Sequence, residues 1–241
     1  MTATIMVVNP NTTAPMTEAI VAAARVVAAP GTTLIGGTPA RGVDSIESHV
    51  DEIWGALGVL ELVRAGEHDG VDGYVVACFG DTGVGAAREV ARGPVVGMTE
   101  AGLFTAALLA ARFAVITLPP RTLEQSHRML RDTGLAHRAT VHALDAVVSD
   151  LAVGSRHLLD AVDTMARHAV AEHAAEAVVL GCAGFADLVV PLQERLGLPV
   201  IEGVAAAVTM VDGLLAQGLS TSRGNTYATP PRLGPAAGQT P

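Results

Sequence analysis

Eight short runs rich in Val, Ile and Ala, at residues 5–8, 32–35, 73–78, 94–98, 113–117, 140–144, 177–182 and 199–201, alternate with longer helix-like stretches. Strands separated by helices pair in parallel, because a crossover helix returns the chain to start its next strand in the same direction. The runs are almost continuously apolar, the pattern of strands covered by helices on both faces. Helical periodicity is expected from Pro15, with Thr12 or Thr13 as cap, and over 46–65, 121–133, 155–173 and 186–196. Equivalent runs recur about 105 residues apart, the mark of an internal duplication. The predicted fold is therefore α/β, with two pseudo-symmetric lobes. Each lobe is a four-stranded parallel sheet flanked by helices, and the active site lies in the cleft between them. Residues 1–98 with 204–219 form lobe one, 99–203 form lobe two, and the Ser-, Thr-, Gly- and Pro-rich segment 220–241 is expected to be a disordered tail.

Composition removes several function classes. A net charge of -9 repels phosphate backbones and anionic lipid, which argues against nucleic acid or a membrane surface as partner. No apolar run approaches the ~20 residues that cross a bilayer, and no basic segment precedes an apolar one near Met1, so a cytoplasmic location is expected. Two cysteines in 241 residues cannot build a disulfide scaffold, and in a reducing compartment both are free thiols. All fifteen cationic side chains are arginine; without lysine there is no Schiff base to pyridoxal phosphate and no phosphate-binding P-loop lysine. The eight histidines show no ligand spacing, and His168 and His173 are off one helix face, so neither metal nor cofactor is expected.

Both cysteines stand at the end of the third strand of their half. Val75-Val76-Ala77-Cys78-Phe79-Gly80-Asp81 and Val179-Leu180-Gly181-Cys182-Ala183-Gly184-Phe185 share an apolar run, then Cys-x-Gly, then a helix start. A single cysteine there is readily a small buried hydrophobe. A pair at equivalent repeat positions brings two thiols to one cleft, since ligands of open parallel sheets sit beyond the C-terminal strand ends. Unpaired N–H groups at a helix start are expected to lower each thiol pKa, and the amides at Gly80 and Gly184 to hold a developing oxyanion. One thiolate removing a proton and the second thiol returning one to the opposite face is the chemistry of racemisation. Asn9 and Thr117 end the first strand of each half and could orient a ligand. Asn11 and Thr12 read as turn residues and Asp81 as a helix cap. The glycines from Gly80 to Gly85 lack dinucleotide spacing.

Taken together, Val8-Asn9-Pro10-Asn11-Thr12-Thr13, Ser45-Ile46-Glu47-Ser48 with Asp51-Glu52, Ala77-Cys78-Phe79-Gly80-Asp81-Thr82-Gly83, Leu180-Gly181-Cys182-Ala183-Gly184 and Gly203-Val204-Ala205-Ala206-Ala207 resemble the aspartate/glutamate racemase superfamily. Within it they resemble the hydantoin racemase group, which includes allantoin racemases. The resemblance implies a cofactor-independent isomerase acting on a small cyclic imide such as a 5-substituted hydantoin or allantoin. Cys78 and Cys182 would exchange the proton, and Asn9, Ser45, Ile46, Phe79, Gly80, Thr117, Ala183 and Gly184 would surround the ring. Amino-acid racemases of the superfamily typically have Asp in place of Asn9 and His soon after the second cysteine, where Ala183-Gly184 stands. The less charged set here suits a neutral ring. An arylmalonate-type decarboxylase needs one cysteine, a maleate isomerase takes a dianion, and a two-lobed binding protein needs no thiols. A homo-oligomer is expected from the behaviour of small α/β proteins.

Overall fold

A computed structural model describes residues 2–146 and 155–231. The described chain runs β1 (Ala3–Val8), α1 (Ala14–Ala24), β2 (Thr32–Gly37), α2 (His49–Asp69), β3 (Gly73–Val76), α3 (Val84–Val90), β4 (Val95–Gly97) and α4 (Met98–Leu109). It continues through β5 (Phe113–Thr117), α5 (Leu123–Asp132), β6 (Ala139–Ala143), α6 (Arg156–His173), β7 (Ala177–Gly181), α7 (Val189–Leu196), β8 (Val200–Glu202) and α8 (Gly203–Ala216). The strands form two four-stranded sheets, β2-β1-β3-β4 and β6-β5-β7-β8, parallel throughout. The two-lobed α/β architecture is thus the expected one. Val75, Val76, Val115 and Val179 are fully buried, because helices cover both faces of each sheet.

The strand order sets where a ligand can sit. From β1 the chain crosses to β2 on one side and later to β3 on the other, which opens a crevice above the C-terminal ends of β1 and β3; β5 and β7 repeat the arrangement. The chain leaves the first sheet through α4, which packs on β7 and β8, and returns through α8, which packs on β3 and β4. Where α4 and α8 meet, a Cβ on Gly203 would fall 2.3 Å from the Met98 carbonyl oxygen, so only glycine permits this approach.

Several elements differ from expectation. The helix expected from residue 46 begins at His49, because Ser48 is extended and its hydroxyl accepts from the Asp51 N–H at 3.2 Å, capping α2 and leaving Ile46 in the preceding loop. The stretch expected to be helical over 186–196 starts as a 3-10 turn over Ala183–Leu188 and becomes α7 only at Val189. Helices α4 and α8 lie outside the expected helical stretches. Of the expected tail, residues 232–241 lie outside the described residues. In the portion from 220 to 231, Arg223 donates to the carbonyls of Arg88 and Glu89, both at 3.0 Å, and the Arg88 guanidinium lies 5.8 Å from the centre of the Tyr227 ring. No helix among the described residues is long and apolar enough to cross a membrane.

Candidate active site

A cleft of ≈ 500 Å³, counting its open mouth, lies at the two strand crossings and is lined from both lobes. Asn9, Ile46, Cys78 and Phe79 come from the first; Thr117, Cys182, Ala183 and Gly184 from the second. Both thiols therefore face one space. Six of the eight expected ring contacts line the cleft; Ser45 and Gly80 do not. The Ser45 hydroxyl turns to Glu47 Oε1 at 2.7 Å. Gly80 lies behind the wall at a φ of 115°, its N–H donating to Thr99 Oγ1 at 2.6 Å. Its amide is therefore engaged away from the cleft, whereas Gly184 lines the cleft and its N–H works to lower the Cys182 thiol.

The polar side chains expected to orient a ligand are largely occupied. Asn9, 1% exposed, donates from Nδ2 to Asn11 Oδ1 at 2.8 Å and to Thr17 Oγ1 at 3.0 Å, while its Oδ1 accepts from the Asn11 N–H at 3.2 Å. Asn9 thereby fixes the turn after β1, and Asn11, read from sequence as a turn residue, also lines the cleft. The Thr117 hydroxyl donates to the Gly181 carbonyl at 3.1 Å and ties β5 to β7 beneath the cleft.

The thiol environment reverses the expected direction of the pKa shifts. Burial pushes Cys78 up to about 12; the Thr82 hydroxyl, 3.6 Å from its sulfur, works against this, while Cys182, Asp81 and Glu52 add to it. Burial likewise pushes Cys182 up to about 12, opposed by the Gly184 N–H and reinforced by Glu202 and Glu47. Burial is the largest influence on both sulfurs, so loss of hydration outweighs the local dipoles. At pH 8 on the order of one thiol in 10⁴ is ionised.

Two carboxylates hold the helices that start beside the site. Asp81 accepts from the N–H groups of Thr99 at 2.8 Å and Glu100 at 2.9 Å, so it caps α4 rather than the helix that follows it in sequence. Glu202 accepts from Val204 and Ala205, both at 2.8 Å, and caps α8. Gly97 holds the strand position that Glu202 holds in the other lobe, and a Cβ there would lie 2.2 Å from Asp81 Cγ. The two halves thus fill one capping role from different places in the chain.

Gln125 and Thr82 are contributors that local sequence does not single out as ligand contacts. Gln125 reaches the cleft from α5, buried to 8% exposure, and its Nε2 donates to Glu52 Oε1 on α2 at 2.7 Å. No local motif marks it. Thr82, four residues after Cys78 within the Cys-Phe-Gly-Asp-Thr-Gly stretch, turns its hydroxyl to that sulfur. Among the described residues no group of three or more His, Cys, Asp or Glu is arranged to hold a metal ion.

Comparison with known proteins agrees with this fold. The Asp/Glu/Hydantoin racemase family model matches residues 5–211. The chain is 42% identical over 239 residues to a hydantoin racemase from Rhizobium meliloti, covering 97% of each chain. It superimposes on an allantoin racemase from Klebsiella pneumoniae with a TM-score of 0.92 and 46% identity, over 95% of this chain and 94% of that one. An allantoin racemase from Pseudomonas fluorescens gives a TM-score of 0.91 and 38% identity, over 95% and 97%.

Proposed function

Because the chain belongs to the Asp/Glu/hydantoin racemase family and is an isomerase of the racemase kind, we propose that it inverts the stereocentre of a 5-substituted hydantoin or of allantoin with Cys78 and Cys182 as its two proton carriers. The observation that carries this reading is that the two cysteines, at equivalent ends of β3 and β7, line one cleft from opposite lobes. The described residues that line the cleft include no charged side chain, which suits a neutral ring better than a free amino acid with its carboxylate and ammonium.

In the reaction one sulfur, as thiolate, takes the proton from the carbon beside the ring carbonyl. The C–H bond breaks, an S–H bond forms, and the electron pair moves into the carbonyl to give an enolate. The other sulfur, still a thiol, delivers its proton to the opposite face and becomes the thiolate. The enzyme is left in the mirror protonation state with the centre inverted. A negative Cys182 raises the Cys78 pKa, which favours one thiolate beside one thiol, the state the cycle needs. The first amide of the turn Ala183–Leu188 has no acceptor within that turn and can meet the enolate oxygen.

The test is circular dichroism of single enantiomers of 5-benzylhydantoin, 5-isobutylhydantoin and allantoin in deuterated water, with wild type, Cys78→Ser and Cys182→Ser. The signal is expected to decay to zero in wild type with deuterium entering the stereocentre, and each variant to lose at least about a thousandfold in racemisation. Racemisation at the wild-type rate by either variant would sink the two-thiol mechanism, and inertness of all three substrates would sink the substrate class.

A further inference from the structure

A cleft whose walls belong to two lobes works only at one lobe spacing, so the bonds that span it matter as much as the groups inside. Glu52, in the first turn of α2, reaches across to α5: its Oε1 accepts from Gln125 Nε2 at 2.7 Å and from Arg128 Nη2 at 2.8 Å, while its Oε2 meets His49 Nδ1 at 2.7 Å. Gln125 is the inner arm of this bridge, since it lines the cleft, and Arg128 is the outer arm, its side chain 41% exposed against 18% for Glu52. A carboxylate can only accept, so it fixes which end of the Gln125 amide faces α2. The inner arm also needs Gly80, because a Cβ there would fall 2.1 Å from Gln125 Nε2.

We propose that Glu52 is a positioning residue: by clasping Gln125 and Arg128 across the mouth it sets the distance between the lobes and the place of Gln125 in the cleft wall. This rests on the racemase reading for its kinetic consequence, but not for its structural one. Burial pushes the Glu52 carboxyl up, but the hydrogen bonds and charges of Arg128 and His49 outweigh it and hold it below the usual range, so the clasp is charged at neutral pH. Glu52 does not line the cleft, and among the groups acting on the Cys78 thiol its charge comes last. Its removal acts on how well the cleft is assembled around the ring, and so on KM more than on kcat.

The experiment measures racemisation of one enantiomer of 5-benzylhydantoin by wild type, Glu52→Gln and Glu52→Ala, with a thermal melt of each protein. Glu52→Ala is expected to raise KM about tenfold with kcat changed less than about threefold, and Glu52→Gln, which keeps an acceptor for Gln125, to fall between. The wild-type KM is expected to rise between about 20 mM and about 500 mM NaCl as the partly exposed ion pair is screened, and the KM of Glu52→Ala to be insensitive to salt. A structural defect unrelated to the clasp would leave the salt response intact. An unchanged KM in Glu52→Ala, or a salt response that survives the substitution, overturns the proposal while leaving the racemase reading untouched. If wild type racemises no hydantoin, the functional reading fails instead. The clasp is then judged by amide hydrogen exchange over α5, expected to be faster in Glu52→Ala, with equal rates refuting it.

Discussion

Replacing Gly80 by alanine tests the site where backbone conformation and cleft geometry are coupled most tightly. The residue has a φ of 115°, a conformation that costs a side-chain-bearing residue about 1–3 kcal/mol. The added Cβ would lie 2.1 Å from Nε2, 2.5 Å from Cδ and 2.9 Å from Cγ of Gln125, so the whole amide end must leave rather than merely rotate. Its departure breaks the 2.7 Å bond to Glu52, a charge-assisted bond worth roughly 1–2 kcal/mol at a partly exposed site. The two contributions give a loss of about 2–5 kcal/mol, and for a chain of this length a fall in Tm of about 5–15 °C. Urea unfolding of wild type, Gly80→Ala, Gln125→Ala and the double variant separates them. Shortening Gln125 removes the collision but not the strained φ, so the double variant should be destabilised by less than the sum of the singles. A Gly80→Ala protein within about 0.5 kcal/mol of wild type, or strict additivity in the cycle, would refute the reasoning.

In the proposed mechanism the scarce thiolate is the reactive form, so thiols raised to about 12 imply that kcat/KM climbs close to tenfold per pH unit from about pH 7 to about pH 10; a plateau below pH 8 in a pH–rate profile would contradict this. For Asp81, burial and the neighbouring Glu100 push the carboxyl up to about 7, so the folded state holds its proton where the unfolded state has lost it. The stability this confers is complete below about pH 4 and is lost as pH rises through about 7, by about 3 kcal/mol between pH 5 and pH 8. Asp81→Asn removes that slope, and urea titrations of both proteins at the two pH values that fall in parallel would exclude it.

What the sequence discloses depends on whether a signal is local. Buried parallel strands announce themselves through residues such as Val75 to Ala77 and Val178 to Leu180, and the repeated Cys-x-Gly places both sulfurs at strand ends without any knowledge of packing. Helices α4 and α8 are hidden because Met98–Leu109 and Gly203–Ala216 are apolar or small around most of their circumference, with Phe104, Leu108 and Leu109 exposed on α4, and so show little periodicity. Gln125 carries no signal, since its importance lies in meeting Glu52 and Gly80 from a different lobe. The pKa direction fails for a similar reason. A dipole at a helix start is visible in sequence, whereas the burial that opposes it and the approach of Glu202 and Glu47 arise only on folding.

The two sulfurs are not alike: a side-chain hydroxyl, that of Thr82, faces Cys78, and a backbone N–H, that of Gly184, faces Cys182. Mirror-image substrates have equal free energies in water, so the equilibrium constant of their interconversion is one, and no arrangement of the protein can change it. The ratio kcat/KM must then be identical for the two directions however different the acids and bases that serve them. In the proposed mechanism the mismatched sulfurs can set only how long each enantiomer dwells in the cleft, and so a kcat and a KM that differ between directions by one common factor. Left–right bias in this enzyme is a property of occupancy, and never of outcome.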